Sequence, residues 1–168
     1  VNQTYAVFVR SPHARAIIKK IDTSKALKSS GVVNILTGED IAKDKIGGLI
    51  AGWAIRSEDG SEMKCPANPP LAKDNVNFVG DPIAVVFAES LDEAKAGAEL
   101  VKIDYKVLKA VTNLAETMNS ESIHKDIDKN LCYDWLLGDR QKVKEAFGKA
   151  DKIIKLDITN NRLIPNAM

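Results

Sequence analysis

The chain has 168 residues, 45% hydrophobic and 28% charged, with a formal net charge of +1 at pH 7. That suits one domain, or one domain and part of another, able to bury a real core. It argues against a disordered chain and a dedicated nucleic-acid binder, and no apolar run approaches the ~18 residues of a membrane span. Two cysteines, Cys65 and Cys132, are too few for a disulfide framework, so a reducing cytoplasm is expected.

Charge is uneven. Within residues 1–30, Arg10, Arg15, Lys19, Lys20, Lys25 and Lys28 stand against Asp22 alone. Only Tyr5 and Phe8 are interleaved with them, which speaks against RNA stacking, so this reads as a solvated basic face. Val1 opens the chain, and Met168 closes it directly after an apolar, strand-like run. These ends read as those of a fragment from a longer polypeptide.

Tyr5 to Val9 reads as a strand, and Ala14 to Ile21 as a second after the break at Pro12. Asp22-Thr23-Ser24 supplies N-cap oxygens for a short helix through Ala26 and Leu27, which Gly31 ends. Val32 to Leu36 is a third strand, and Thr37-Gly38-Glu39-Asp40 opens a single helical turn. Residues 43–72 hold Gly47, Gly48, Gly52, Gly60, Pro66, Pro69 and Pro70 and lack periodicity, a pattern of functional or mobile loops. Gly47-Gly48 has no phosphate-loop spacing and reads as a turn.

Asn75 to Val79 is strand-like and runs into Gly80-Asp81-Pro82, where Gly80 supplies a positive φ and Pro82 sets the next entry. Ile83 to Ala88 is apolar at every position, as in a central strand covered on both faces. Ser90-Leu91-Asp92-Glu93 is a capping box. Leu91, Ala94, Ala98 and Val101 then share a helical face, and Gly97 and the alanines allow close approach to a sheet. Val101 to Val107 follows as a strand, completing strand–helix–strand. Residues 110–130 read as loop with a short helix over Asn113–Met118, and Leu131 to Leu137 as another strand. Asp139 caps a second helix with Val143, Ala146, Phe147 and Ala150 at helical spacing. Ile154, Leu156 and Ile158 alternate with Lys155, Asp157 and Thr159, predicting a half-exposed final strand.

Little self-sufficient chemistry emerges. His13, Cys65, His124 and Cys132 lack the close spacing of structural zinc sites. Neither cysteine has a local active-site signature, there is no Gly-x-Ser-x-Gly elbow, and a small cysteine hydrolase would need Cys65 or Cys132 beside His124. The pairs Glu39/Asp40 and Asp126/Asp128 lie in polar loops, where solvation is usual. After Ile83–Ala88 the chain reads Glu-Ser-Leu-Asp, not the Gly-x-Gly-x-x-Gly of a dinucleotide site.

Phe8-Val9-Arg10-Ser11-Pro12-His13-Ala14, then Ile21-Asp22-Thr23, and the run from Gly31 to Ile41 together resemble the opening of the large subunit of molybdenum hydroxylases, the family of xanthine dehydrogenases, aldehyde oxidases and aerobic carbon monoxide dehydrogenases. Pro70-Leu71-Ala72 through Val79-Gly80-Asp81-Pro82-Ile83-Ala84-Val85-Val86 continues the resemblance, with Asp81 where the family usually has Glu. The helix leading into Val101-Lys102-Ile103-Asp104-Tyr105 belongs to it too. Asn130 to Trp135, Leu137-Gly138-Asp139 and Asn160 to Met168 look most like the carbon-monoxide-dehydrogenase branch. Each motif is weak, and their order and spacing make the set specific.

The resemblance implies an α+β fold, the α/β hammerhead, over residues 1–118, with a mixed sheet and strand–helix–strand units. It implies that residues 119–168 begin a molybdenum-cofactor-binding domain. It places catalytic, cofactor-binding and metal residues downstream, so none is carried onto this chain. The parent would use a molybdenum-pterin (molybdopterin dinucleotide) cofactor to oxidise carbon monoxide, a small aldehyde or a heterocycle with oxygen from water. Iron–sulfur clusters and FAD would sit on partner subunits. Structural or interface roles are then expected for Pro12, His13, Gly80, Asp81 and Pro82, and for Arg162 and Asn166 near the exit to the next domain. The competing reading is a stand-alone binding or adaptor module on the same fold.

Overall fold

A computed structural model of the chain describes residues 3–49 and 52–160. It divides into two compact units, Val1–Trp135 and Leu136–Met168. Arg162 and Asn166 lie outside the described residues.

The first unit contains β1 (Tyr5–Arg10), β2 (Ala16–Asp22), β3 (Val32–Thr37), α1 (Gly38–Lys43), β4 (Asn75–Val76), β5 (Pro82–Ala88), α2 (Leu91–Leu100) and β6 (Lys102–Val107). The strands form two three-stranded sheets, β1-β5-β3 and β4-β2-β6. Every pairing between them is antiparallel, so a single mixed sheet gives way to two antiparallel ones. The helix between β5 and β6 accordingly links strands of different sheets, not neighbours in one.

β5 explains the architecture. Its apolar run sits in the middle of its sheet, with Val85 opposite Phe8 on one side and Leu36 on the other. Alternate residues of a strand point to opposite faces. Ala84 and Val86 join Ala26 and Ile35 in one core, packed by Val9, Val32, Ala98 and Val101. Ile83 joins Ala16, Ala72 and Val76 in the other, packed by Ile18, Ile21, Ile103 and Tyr105. A strand covered on both faces has no polar face to show, which is why its sequence does not alternate.

α2 lies on β1 and β5. The Ser90 hydroxyl accepts from the Glu93 N–H at 3.3 Å and donates to the Glu93 carboxylate at 2.8 Å, closing the helix start. A Cβ on Gly97 would come within 2.8 Å of Val32 Cγ2, so glycine sets how closely α2 approaches the sheet. Ala94 and Gly97 are buried, whereas Leu91 is exposed and does not belong to the packed face. α1 starts with the Thr37 N–H and hydroxyl both donating to the Asp40 carboxylate at 2.8 Å.

Between α1 and β4 the long segment has no helix or strand among its described residues. It is pinned at its base, where the Leu49 N–H donates to the Asn68 carbonyl at 2.9 Å. Gly48 meets the Asn68 backbone so closely that an added Cβ would sit 2.8 Å from it, so this glycine serves a chain crossing. A second bridge joins Arg56 to Glu62, with their side chains paired at 3.1 Å. β4 is shorter than expected and stops at Val76, because the chain turns at once toward Gly80. Residues 131–137 form no strand. Their backbone is used instead by the long segment, with Lys64 N–H donating to Cys132 and Glu58 N–H to Asp134.

In the second unit α3 (Arg140–Gly148) begins at Asp139, whose carboxylate accepts from the Lys142 N–H at 3.0 Å. Residues 151–160 form no strand, although their alternation suits one: among the described residues of this unit no backbone pairs with them. Among the described residues no helix is long and apolar enough to cross a membrane.

Candidate functional site

The expected site residues of the first unit converge on one feature, a clasp between the turn after β1 and the turn before β5. The Ser11 N–H donates to the Asp81 carbonyl at 2.9 Å, and the Gly80 N–H returns to the Ser11 carbonyl at 2.8 Å. Arg10 adds a bond from Nη1 to the Gly80 carbonyl at 2.9 Å, and its guanidinium lies over the Phe8 ring. Gly80 has φ +91, with open space where a Cβ would go. Its requirement is therefore backbone conformation, not room. Pro82 faces Arg10 at the irregularity in the β1–β5 register, where a residue without an N–H is tolerated.

Asp81 is 7% exposed and accepts from the Asn77 N–H at 3.0 Å. Burial pushes its carboxyl pKa above the ordinary value, and the Asn77 hydrogen bond opposes that in part. Ser11 is buried too. Its hydroxyl accepts from the His13 N–H and donates to the His13 carbonyl, a local turn bridged by exposed Pro12. The His13 ring meets Tyr105 of β6 edge-on at 4.9 Å. Burial raises the Tyr105 hydroxyl pKa. The clasp thus joins the two sheets' ends through groups already satisfied by one another. Asp81 and Asn77 also line a cavity of about 450 Å³ that His124 shares.

Three residues of this region carry more than the sequence reading assigned them. Ser11 and Asn77 complete the clasp. Arg15, counted on the solvated basic face, is buried at 7% exposure. Its guanidinium donates to the Lys109 and Ser122 carbonyls and pairs with Glu121 at 3.2 Å. The available signal was its place inside an apolar strand run, where a solvated arginine is out of register. Lys19, Lys20, Lys25 and Lys28 do remain exposed.

A cleft of about 750 Å³ opens beside β2 and β4, with Ile17, Asn75, Cys65, His124 and Ile127 among its walls. Cys65 and His124 share it. Cys132 lines a different depression with Ser57 and Tyr133. Both cysteines are free thiols. Among the described residues no group of three or more His, Cys, Asp or Glu side chains could hold a metal ion.

Residues 1–109 match the family model described as aldehyde oxidase and xanthine dehydrogenase, a/b hammerhead domain. The chain is similar to xanthine dehydrogenase 1 of Arabidopsis thaliana, 32% identical over 159 residues, covering 94% of this chain and 10% of that protein. It is also similar to the carbon monoxide dehydrogenase large chain of Afipia carboxidovorans, 29% identical over 177 residues, covering 96% of this chain and 20% of that one. Among solved structures, Cu,Mo-CO dehydrogenase in its carbon monoxide reduced state matches with a TM-score of 0.73 and 26% identity, over 90% of this chain and 19% of that one. The chain therefore spans a tenth to a fifth of the length of these relatives.

Proposed function

The chain belongs to the aldehyde oxidase and xanthine dehydrogenase family through its a/b hammerhead domain, and we propose that its parent is the large subunit of a molybdenum hydroxylase of the carbon monoxide dehydrogenase type. The observation that carries this reading is the hammerhead match over residues 1–109. The TM-score of 0.73 to Cu,Mo-CO dehydrogenase over 90% of the chain favours that branch. The parent would oxidise carbon monoxide, a small aldehyde or a heterocycle with oxygen from water. A molybdenum-pterin group would supply that chemistry, with iron–sulfur clusters and flavin on partner subunits in the cytoplasm.

The family resemblance puts the catalytic and cofactor-binding residues downstream of this chain, so no catalytic step is assigned to it. Its part is structural. Residues 1–118 form the hammerhead, residues 119–168 begin the cofactor domain, and Arg162 and Asn166 lead into it. The clasp of Pro12, His13, Gly80, Asp81 and Pro82 holds the sheet ends in register so that neighbouring domains meet a fixed surface.

Native purification from the source cells tests this. The polypeptide carrying this sequence should run several times longer than 168 residues and copurify with molybdenum, iron and flavin. It should also reduce a dye in the presence of carbon monoxide or a small aldehyde. A native chain of the fragment's own length, or a long chain without molybdenum, overturns the proposal and leaves a stand-alone binding module.

A further inference from the structure

The segment after β6 is built differently from the sheets it lies against. Of residues 109–134 only Ile127 is buried. Apolar burial therefore contributes little to holding it. Polar contacts do the holding at three places. At its start the Leu108 N–H donates to the Arg15 carbonyl, and the Arg15 guanidinium reaches the Lys109 and Ser122 carbonyls and the Glu121 carboxylate. In its middle the Asn130 amide donates to the Thr117 and Glu121 carbonyls, and its oxygen accepts from the Ile123 N–H at 2.7 Å. At its end Cys132 and Asp134 receive the Lys64 and Glu58 amides.

Asn130 and its neighbour Lys129 hold φ +56 and +53, a left-handed pair without glycine. Such residues persist only where their surroundings over-determine them. The Asn130 side chain is what does so here. Residues 123–127 also line the 750 Å³ cleft, together with Ile17 and Ile18 of β2.

We propose that residues 109–134 are a strap that opens as a unit from the folded two-sheet body, with Arg15 as its latch and Asn130 as its internal clip. Segments with few buried apolar contacts open at free energies below that of global unfolding. Opening would unroof the cleft and expose the half-buried Ile17 and Ile18. The inference concerns this chain's own dynamics and stands whether or not the parent is a molybdenum enzyme.

Hydrogen exchange on the full chain tests it. In the unsubstituted protein the hydrogen-bonded amides of Ile123, Ile127 and Leu131 should exchange well before those of Val85 and Val86 in β5. Arg15→Lys keeps the charge and loses the fork. It should speed exchange in the strap roughly tenfold or more while β5 changes by less than about twofold. Asn130→Ala should give the same pattern from inside the strap and serves if the Arg15 variant does not fold. Strap and β5 amides exchanging together in the unsubstituted chain would overturn the proposal. So would an unchanged strap in both variants.

Discussion

α2 and α3 make an instructive pair. They have ten and nine residues, each begins at a side-chain cap, and each carries apolar residues at helical spacing. α2 buries Ala94 and Gly97 against β1 and β5, while α3 buries nothing, and its Val143 and Phe147 stay exposed. Amphipathic spacing shows that a helix has a face to cover. It does not say whether the cover is in the same unit. The small residues of α2 fit a sheet already present at close range. The larger ones of α3 suit a looser surface that the described part of the second unit does not contain.

The same contrast separates the cores. Ile83 is fully buried between β5 and the second sheet, and Ile154 is 81% exposed. Ile83→Ala should lower unfolding stability by about 2–5 kcal/mol in a urea titration. Ile154→Ala should leave the midpoint within about 0.5 kcal/mol. Equal effects would reject the contrast between the two positions.

Gly97→Val comes next. The new side chain must displace Val32 and Val86, and overpacking of this kind costs about 1–3 kcal/mol. In α3, Gly148→Val meets open space and should move the global midpoint little. A silent Gly97→Val would reject the close approach of α2.

Two glycines with positive φ sharpen the comparison further. Gly80 and Gly138 both have φ above +90 and open space where a Cβ would sit, so Gly80→Ala and Gly138→Ala carry the same local strain, roughly 1–2 kcal/mol. Only Gly80 sits in the clasp joined to β1 and β5, so only its substitution should shift cooperative thermal melting.

The smallest effect is electrostatic and opposite in sign in the two regions. Asp81 is pushed above the ordinary 3.8 by burial, so its ionised form is disfavoured in the folded state. Asp81→Asn should therefore be stabilising at neutral pH relative to the unsubstituted chain. That advantage should shrink as pH falls through the raised value, where the native carboxyl protonates. The Asp139 carboxyl is lowered, chiefly by the Lys142 N–H. Its contribution to α3 is present above 3.8 and is lost as pH falls below it. Stability curves at several pH values, with circular dichroism of the helices, would read both.

Much of the fold could be read locally. Ser90 with Glu93 and Thr37 with Asp40 announce helix starts, because a cap needs only residues three apart. Gly80-Asp81-Pro82 announces a turn with positive φ, and the unbroken apolar run of β5 announces burial on both faces. Half of the clasp was legible in the same way, in Pro12, His13 and the Gly80 turn, without any sign that the two turns are bonded to each other.

What needed the folded chain acts across long separations. Arg15 meets Ser122 across 107 residues, and its place in an apolar run does not say which distant groups receive it. The 131–134 segment exchanges hydrogen bonds with residues 57–64 yet forms no strand, because its partner there is irregular. Dihedral preferences, caps and periodicity are properties of neighbours in sequence, and they specify the elements. Which sheet a strand joins, and which charged side chain is withdrawn from water, depends on surfaces that exist only once distant segments have packed.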